Sequence, residues 1–322
     1  QKNQAFVGVE LVPSTRRLSL MNCLLHGMEG DDEGVVHLGN ALGDAGKSLP
    51  RADIILANPP FGTSKGGEAS ITRDDLTYNT SNKQLSFLQH IYRNLKPGGR
   101  AAVVLPDNVL FEAGIGTDIR RDLMDKCNLH TILRLPTGIF YAAGVKTNVL
   151  FFTKGTAKKP KQEENCTTKT WVYDLRTNMP NFGKRTPFGE SHLKSFEKVF
   201  GKKTDGTSSR KEEEWSYVEE GVEQTLESSR WRCFTRDYIR DTKGDSLDIS
   251  WLKDKDSIDA ADLPEPDVLA AEAMTELTEA LRELDGLMAA LGASDQGKVQ
   301  KDLLASALGL TLDEEQPEAG TK

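Results

Sequence analysis

Apolar runs of strand length alternate with stretches of helical period through residues 1–155, and a chain patterned this way has few folds open to it. Residues 5–10 form a short apolar run that ends on the acid Glu10, as a buried strand would. Pro13, Ser14 and Thr15 then open an amphipathic stretch through Leu18, Met21, Leu24 and Leu25, which stops at His26 and Gly27. Residues 35–38 and 53–57 read as further strands, the second ending abruptly at Asn58, Pro59 and Pro60. After a Gly-rich, polar loop over 62–82, residues 85–95 have helical period. Lys96, Pro97, Gly98 and Gly99 make a turn, and 100–105 reads as a strand. A helix over 118–126, a strand near 131–135 and the run 148–153 complete the series. Strand and helix at this spacing predict an α/β sheet joined by crossover helices.

From about residue 156 the pattern changes. Residues 158–161 and 201–210 are polar breaks, yet Trp171, Trp215, Trp231 and Trp251 all fall in this half, so it is not simply disordered. Beyond Leu263, Pro264, Glu265 and Pro266, an apolar seam runs through Ala270, Met274, Leu277, Leu281, Leu284, Met288 and Leu291. Its alternation by four and three is that of a short coiled-coil face. Residues 1–244 carry 35 Lys+Arg against 30 Asp+Glu, whereas residues 245–322 carry 6 against 19, so a balance of +5 precedes one of −13. An acidic tail suits a solvated face or a protein-docking element and is a poor surface for nucleic acid.

The composition, 37% hydrophobic and 28% charged, is that of a soluble globular protein. No apolar run approaches the roughly 18 residues of a membrane helix. The four cysteines (Cys23, Cys127, Cys166, Cys233) and five histidines show no ligand spacing. Neither a metal site nor a disulfide framework is expected, and the cytoplasm is the expected compartment.

Chemistry concentrates at Asn58-Pro59-Pro60-Phe61. In open α/β sheets ligands bind beyond the carboxyl ends of strands, where this tetrapeptide would stand. Two prolines fix the backbone and remove two donors, leaving neighbouring carbonyls free to accept. The Asn58 side-chain oxygen and the Pro59 carbonyl could then both accept from one exocyclic amino group, turning its lone pair toward an electrophilic methyl. Phe61 would supply a flat face for a flipped-out base. Glu10, at a strand end, is of the type that takes a ribose hydroxyl pair, and Asn40 could meet the adenine edge of the same cofactor. Phe140 and Tyr141 either pack in the core or line the target-base pocket. Lys146 is either a phosphate contact or a solvated lysine. Asp53 reads as a cap rather than a catalyst. Gly46-Lys47-Ser48 lacks the first glycine of a phosphate loop, Ala41 standing there, and residues 62–67 read as a mobile lid.

These segments, in this order, resemble the modification (M) subunit of type I restriction–modification systems, an N6-adenine DNA methyltransferase. The similarity covers nearly the whole chain. Gly8-Val9-Glu10, Arg17 to Asn22 and Gly39-Asn40-Ala41-Leu42 look like the family's cofactor motifs, and residues 53–62 like its catalytic motif. Residues 137–152, residues 247–252 and the helix after Pro266 are also similar to the family. The resemblance implies a Rossmann-like, S-adenosylmethionine-dependent methyltransferase sheet. Glu10 and Asn40 would hold the cofactor; Asn58, Pro59, Pro60 and Phe61 would hold the base, with Phe140 or Tyr141 beside it. Implied partners are double-stranded DNA, a specificity (S) subunit, a restriction (R) subunit and a second copy of the M subunit. The domains would be a partial catalytic domain over 1–155, its extension over 156–262, and an acidic docking tail over 263–322.

One departure stands out. Such a domain begins with a strand and a Gly-rich loop for the methionine end of the cofactor, but only nine residues precede Glu10 and none form that turn. The expectation is a chain truncated at its N-terminus, lacking also the family's helical domain, and inactive or weak in cofactor binding when isolated. Two rival readings remain: a fragment acting only in subunit assembly, and a protein-glutamine N5-methyltransferase. The latter class shares Asn-Pro-Pro-aromatic but lacks the long second half.

Overall fold

The computed structural model describes residues 5–28, 30, 34–61, 71–140, 145–212, 225, 228–254 and 266–290. Its contacts divide into two units, Gln1–Lys255 and Asp256–Lys322. In chain order the first unit contains β1 (Gly8–Glu10), α1 (Pro13–Leu25), β2 (Val36–Leu38), α2 (Asp44–Lys47), β3 (Ala52–Ala57), α3 (Lys83–Asn94) and β4 (Leu95–Pro106). It continues with α4 (Asn108–Phe111), α5 (Ile115–Lys126), β5 (Cys127–Arg134), β6 (Thr147–Lys154), β7 (Lys169–Asp174), α6 (Lys194–Phe200) and β8 (Trp231–Thr235). The second unit contributes α7 (Pro266–Ala290).

Local chemistry sets several of these boundaries. Pro13 sits in the first turn of α1, where its missing N–H costs no bond. Asn82 caps α3, its side chain accepting from the backbone N–H groups of Gln84 and Leu85. Among the described residues the strands form a six-stranded sheet ordered β3-β4-β6-β5-β7-β8, and β1 pairs in parallel with β2 separately. β3 is parallel to β4, and β5 to β7, while β6 runs antiparallel between β4 and β5. The chain thus places four parallel strands, β3, β4, β5 and β7, with their carboxyl ends along one edge.

Both faces of the sheet are covered. Leu85, Leu88, Ile91 and Tyr92 of α3 and Ile119, Leu123 and Met124 of α5 pack with Val103, Leu105, Ile132 and Val172 in one core. The opposite core holds Leu133, Trp171, Tyr173, Trp231 and the α6 residues Phe196, Val199 and Phe200. Successive side chains of a strand point to opposite faces, so Val172 enters one core and its neighbours Trp171 and Tyr173 the other. Trp171 and Trp231 stack with ring centroids 4.9 Å apart. Each such buried side chain contributes roughly 1.5–3 kcal/mol.

The predicted alternation holds through residue 154, with local differences: β5 starts at Cys127 rather than near 131, and the short helices α2 and α4 have no counterpart in the sequence pattern. The Lys96–Gly99 turn is a bulge inside β4: Ala52 pairs with Leu95, then Ile54 with Arg100. Pro97 offers no N–H to the ladder, and Gly98 takes a left-handed φ of 78°, so the strand bows out and resumes. The first strand is shorter than expected, covering only Gly8–Glu10. The second half also joins the first: β7 and β8 extend the same sheet across residue 155. Asp245 pairs with Arg121 and Arg236, and the Asp245 carbonyl accepts from the buried Arg120. Leu247 and Ile249 lie in the α3–α5 core, and Trp251 packs against it.

Two buried histidines give this fold a pH signature. Burial, reinforced by Arg73, lowers the pKa of His90 to about 4; burial, reinforced by Arg210, lowers that of His130 to about 3. An unfolded histidine titrates near 6.5. Between that value and about 4 the unfolded chain therefore holds more protons, and stability falls as pH drops through this window. Urea midpoints should decline on acidification from pH 6.5 to 4, and the His90→Asn/His130→Asn double variant should decline less steeply. An identical slope in the variant would contradict this assignment.

Candidate active site

The shared carboxyl edge collects the chemistry-bearing residues. Ala57 pairs with Val103 at the end of β3, and the chain then leaves the sheet because Pro59 and Pro60 have no N–H to continue the ladder. Asn58 is exposed and Pro59 buried. Among the described residues no hydrogen bond engages the Asn58 side chain or the Pro59 carbonyl, whereas Gln84 Nε2 reaches the Pro60 carbonyl at 3.5 Å. A side-chain amide and a backbone carbonyl are thus left open next to each other in the chain. Phe61, half-buried, meets Phe140 edge to face, with centroids 5.4 Å apart and planes at 88°. Phe140 stands in the loop after β5, so the structure brings together two aromatics that follow strands with β4 and β6 between them. Tyr141 lies outside the described residues.

Glu10, Asn40, Asn58, Pro59 and Pro60 line one cavity of about 670 Å³, bounded also by Ile54, Leu56, Phe87 and His90. Phe61 and Phe140 are not part of that lining. Glu10 Oε1 accepts from the backbone N–H of Val12 at 2.8 Å, and Asn40 Oδ1 from that of Leu42 at 2.9 Å. These turn-type bonds fix both side chains at the ends of β1 and β2. The cavity runs between β1 and β3, and among the described residues each presents an unpaired strand edge to it. On β3, Ile54 is 50% and Leu56 79% exposed, while Val103 and Leu105 of neighbouring β4 are fully buried.

Several supporting residues carry no signal in the sequence. Arg73 forks onto Asp75, donates to His90 Nδ1 at 2.8 Å and to the Ala41 carbonyl at 3.3 Å. It thereby ties the Asn40 loop to α3. The Arg73 guanidinium pulls the Asp75 carboxyl down to about 2. Arg176 forks onto Asp107, which follows β4, at 2.7 and 2.9 Å. The same guanidinium donates to the carbonyls of Leu135 (3.0 Å) and Thr147 (2.8 Å), the two feet of the loop that carries Phe140. Asn148 Nδ2 adds a 2.7 Å bond to Asp107. Only long-range proximity could have revealed either cluster; neither has a local spacing.

The remaining candidates fall elsewhere. Asp53 is exposed and paired with Lys96 at 2.8 Å, rather than capping the strand. Lys47 lies in the short α2 and pairs with Asp74, which raises its pKa, and no phosphate-binding loop surrounds it. Residues 62–70, read as a lid, lie outside the described residues. Among the described residues no group of three His, Cys, Asp or Glu could hold a metal ion, and no helix is long and apolar enough to cross a membrane.

The chain resembles known proteins in sequence and in fold. Residues 1–227 match the N-6 DNA Methylase family, and residues 263–306 match the type I restriction enzyme methylase subunit, C-terminal domain. The chain is 63% identical to the type I restriction enzyme EcoKI methylase subunit of Escherichia coli K12, over 96% of this chain and 60% of that protein. It is equally similar, with the same coverage, to the StySPI methylase subunit of Salmonella potsdam. The chain therefore spans about three-fifths of the length of these curated relatives. The crystal structure of the EcoKI M protein superposes with a TM-score of 0.75 at 61% identity, covering 95% of this chain and 64% of that one. A structure concerned with assembly and conformational transition of the type I restriction–modification system gives 0.58 at 25% identity, covering 90% and 55%. A match over residues 1–227, carried on a fold shared with the EcoKI M protein, shows that the chain belongs to the N-6 DNA methylase family.

Proposed function

We propose that this chain forms the methyl-transferring core of a type I modification enzyme, which methylates adenine N6 in double-stranded DNA. The observation that carries the reading is the pair of open acceptors, Asn58 and Pro59, beside the Phe61–Phe140 contact. A flipped adenine enters at the carboxyl edge, with Phe61 against its ring and Phe140 bracing Phe61 from the side. The Asn58 side-chain oxygen and the Pro59 carbonyl accept the two N6 hydrogens. Holding both hydrogens stops the amino lone pair from delocalising into the ring and aims it outward. N6 would then take the methyl directly, its new N–C bond forming as the cofactor's methyl–sulfur bond breaks and the neutral thioether leaves, and one N6 proton would pass to water, with no covalent enzyme intermediate.

The cavity fits S-adenosylmethionine, which when bound supplies an electrophilic methyl group. Its volume lies within the roughly 300–1,000 Å³ usual for cofactor sites. Glu10 is placed to accept from the ribose hydroxyls, and Asn40 offers an amide to the adenine edge, with Ile54 and Leu56 as apolar walls. An additional parallel strand between the open edges of β1 and β3 would close the site on its remaining side. Among the described residues, the groups proposed to hold the cofactor thus stand on one flank only.

The assembly reading rests on the second unit. α7 exposes Met274, Leu277, Leu284 and Leu287 along an acidic helix, which suits docking onto a specificity subunit that reads the DNA sequence. A second copy of this subunit and a restriction subunit would complete the complex.

Three experiments check these assignments. In the assembled enzyme, Asn58→Ala should lower methyl transfer to target DNA by more than about 100-fold, the order seen when a preorganised polar contact is lost, and leave subunit co-purification intact. Removal of residues 267–322 should instead weaken co-purification with the specificity subunit, and methylation of target DNA should fall with it. Wild-type levels of N6-methyladenine from Asn58→Ala would exclude the proposed chemistry. Calorimetric titration of the isolated chain with S-adenosylmethionine should show weak binding or none; tight, stoichiometric binding would show that no further strand is needed.

A further inference from the structure

The loops leaving the carboxyl edge differ from the rest of the chain in charge. Residues 135–148, between β5 and β6, and residues 175–189, after β7, contain no Asp or Glu, in a protein with 49 acidic residues and a net charge of −8. They carry Lys146, Arg176, Lys184 and Arg185. Arg176 is buried and spent on Asp107. Lys146, Lys184 and Arg185 are exposed, and no acidic group pairs with any of them among the described residues.

The cationic turn is also rigidly mounted. Gly183 N–H donates to the Thr186 carbonyl at 2.9 Å, closing a tight turn with Lys184 and Arg185 at its tip. Just before it, Phe182 N–H donates to the Thr137 carbonyl at 3.1 Å, and the Phe182 ring packs edge-on against Phe188 and His192. Gly138 has a φ of 84°, and a Cβ there would lie 1.9 Å from the Phe182 carbonyl oxygen. Only glycine permits so close an approach, so the 175–189 loop is seated on the loop that carries Phe140. Arg176 fastens the base of both loops to Asp107. Charge, exposure and rigidity therefore coincide beside the aromatic pair.

We propose that the Lys184–Arg185 turn, flanked by Lys146, is a phosphate-contact surface that grips the DNA backbone next to the flipped adenine. The proposal rests on the DNA-methylating reading above and adds a binding role for residues outside the reacting centre. Each cation placed on a phosphate displaces condensed counterions, and each such contact steepens the dependence of log K on log salt by about 0.9. Phosphate contacts position the duplex without reading sequence, so their loss should weaken all targets alike.

The test compares two double variants in the assembled enzyme, with binding to duplex DNA measured over a series of salt concentrations. Lys184→Ala/Arg185→Ala should make the slope shallower by about 2 and reduce affinity for specific and unrelated duplexes by the same factor. Lys158→Ala/Lys159→Ala removes the same charge from exposed lysines beyond the carboxyl end of the antiparallel β6, at the opposite edge of the sheet, and should leave the slope unchanged. Equal effects of the two pairs would mean that net charge alone matters and would overturn the proposal. So would an unchanged slope in Lys184→Ala/Arg185→Ala, or a loss of subunit assembly in place of a changed slope. An assembled enzyme with no affinity for duplex DNA would instead remove the functional reading on which the proposal stands.

Discussion

Groups at or just beyond the ends of β4, β5, β6 and β7 converge on Arg176, and the geometry of the proposed site depends on that convergence. Its fork onto Asp107 joins the end of β7 to the end of β4, and its bonds to Leu135 and Thr147 hold both feet of the Phe140 loop. The Arg176 side chain is 8% and that of Asp107 19% exposed. Removing one partner of a pair this buried leaves an uncompensated charge, which typically costs about 3–5 kcal/mol. Asp174 extends the arrangement: one oxygen accepts from the N–H groups of Arg176 and Thr177, the other from Arg134. The edge that holds the aromatic pair is thus braced by buried ion pairs and hydrogen bonds, whose directionality fixes the loop feet in a way apolar packing alone does not.

This bracing divides the edge into regions with different tasks. Asn58 lines the cavity with Glu10 and Asn40, and Phe61, three residues further along the chain, meets Phe140. In the proposed reaction this segment is where cofactor and base would meet. Further along, two acid-free loops present cations, while the carboxylates are concentrated after residue 244. A chain that is acidic overall can therefore offer a positive surface where phosphates would approach and a negative one where a protein partner would dock.

Much of this was legible because the signals are local. The stop after Ala57 is written in two consecutive prolines, and the helices α1, α3 and α5 follow their 3.6-residue period to within a turn. Glu10, Asn40 and Asn58 were each identifiable as polar residues just past an apolar run, and the structure gathers them around one cavity. The bulge in β4 was misread as a connecting turn, because its Pro and Gly residues mark a break in the ladder without revealing that the strand resumes. The clusters Arg73–Asp75–His90 and Arg176–Asp107–Asn148 were invisible, since their members approach only after distant strands have paired. The membership of β7 and β8 in the sheet was missed for the same reason: Trp171 and Trp231 signal a core but not which one.

The central claim is that a base leaves the duplex and rests against Phe61 at the carboxyl edge. Its most direct test replaces the target adenine with 5-iodouracil, irradiates the assembled enzyme–DNA complex, and maps the cross-linked peptide. The account predicts attachment within residues 58–61 or at Phe140, lost in competition with unmodified target duplex. Cross-links confined to other segments of this chain, or to a partner subunit, would contradict it.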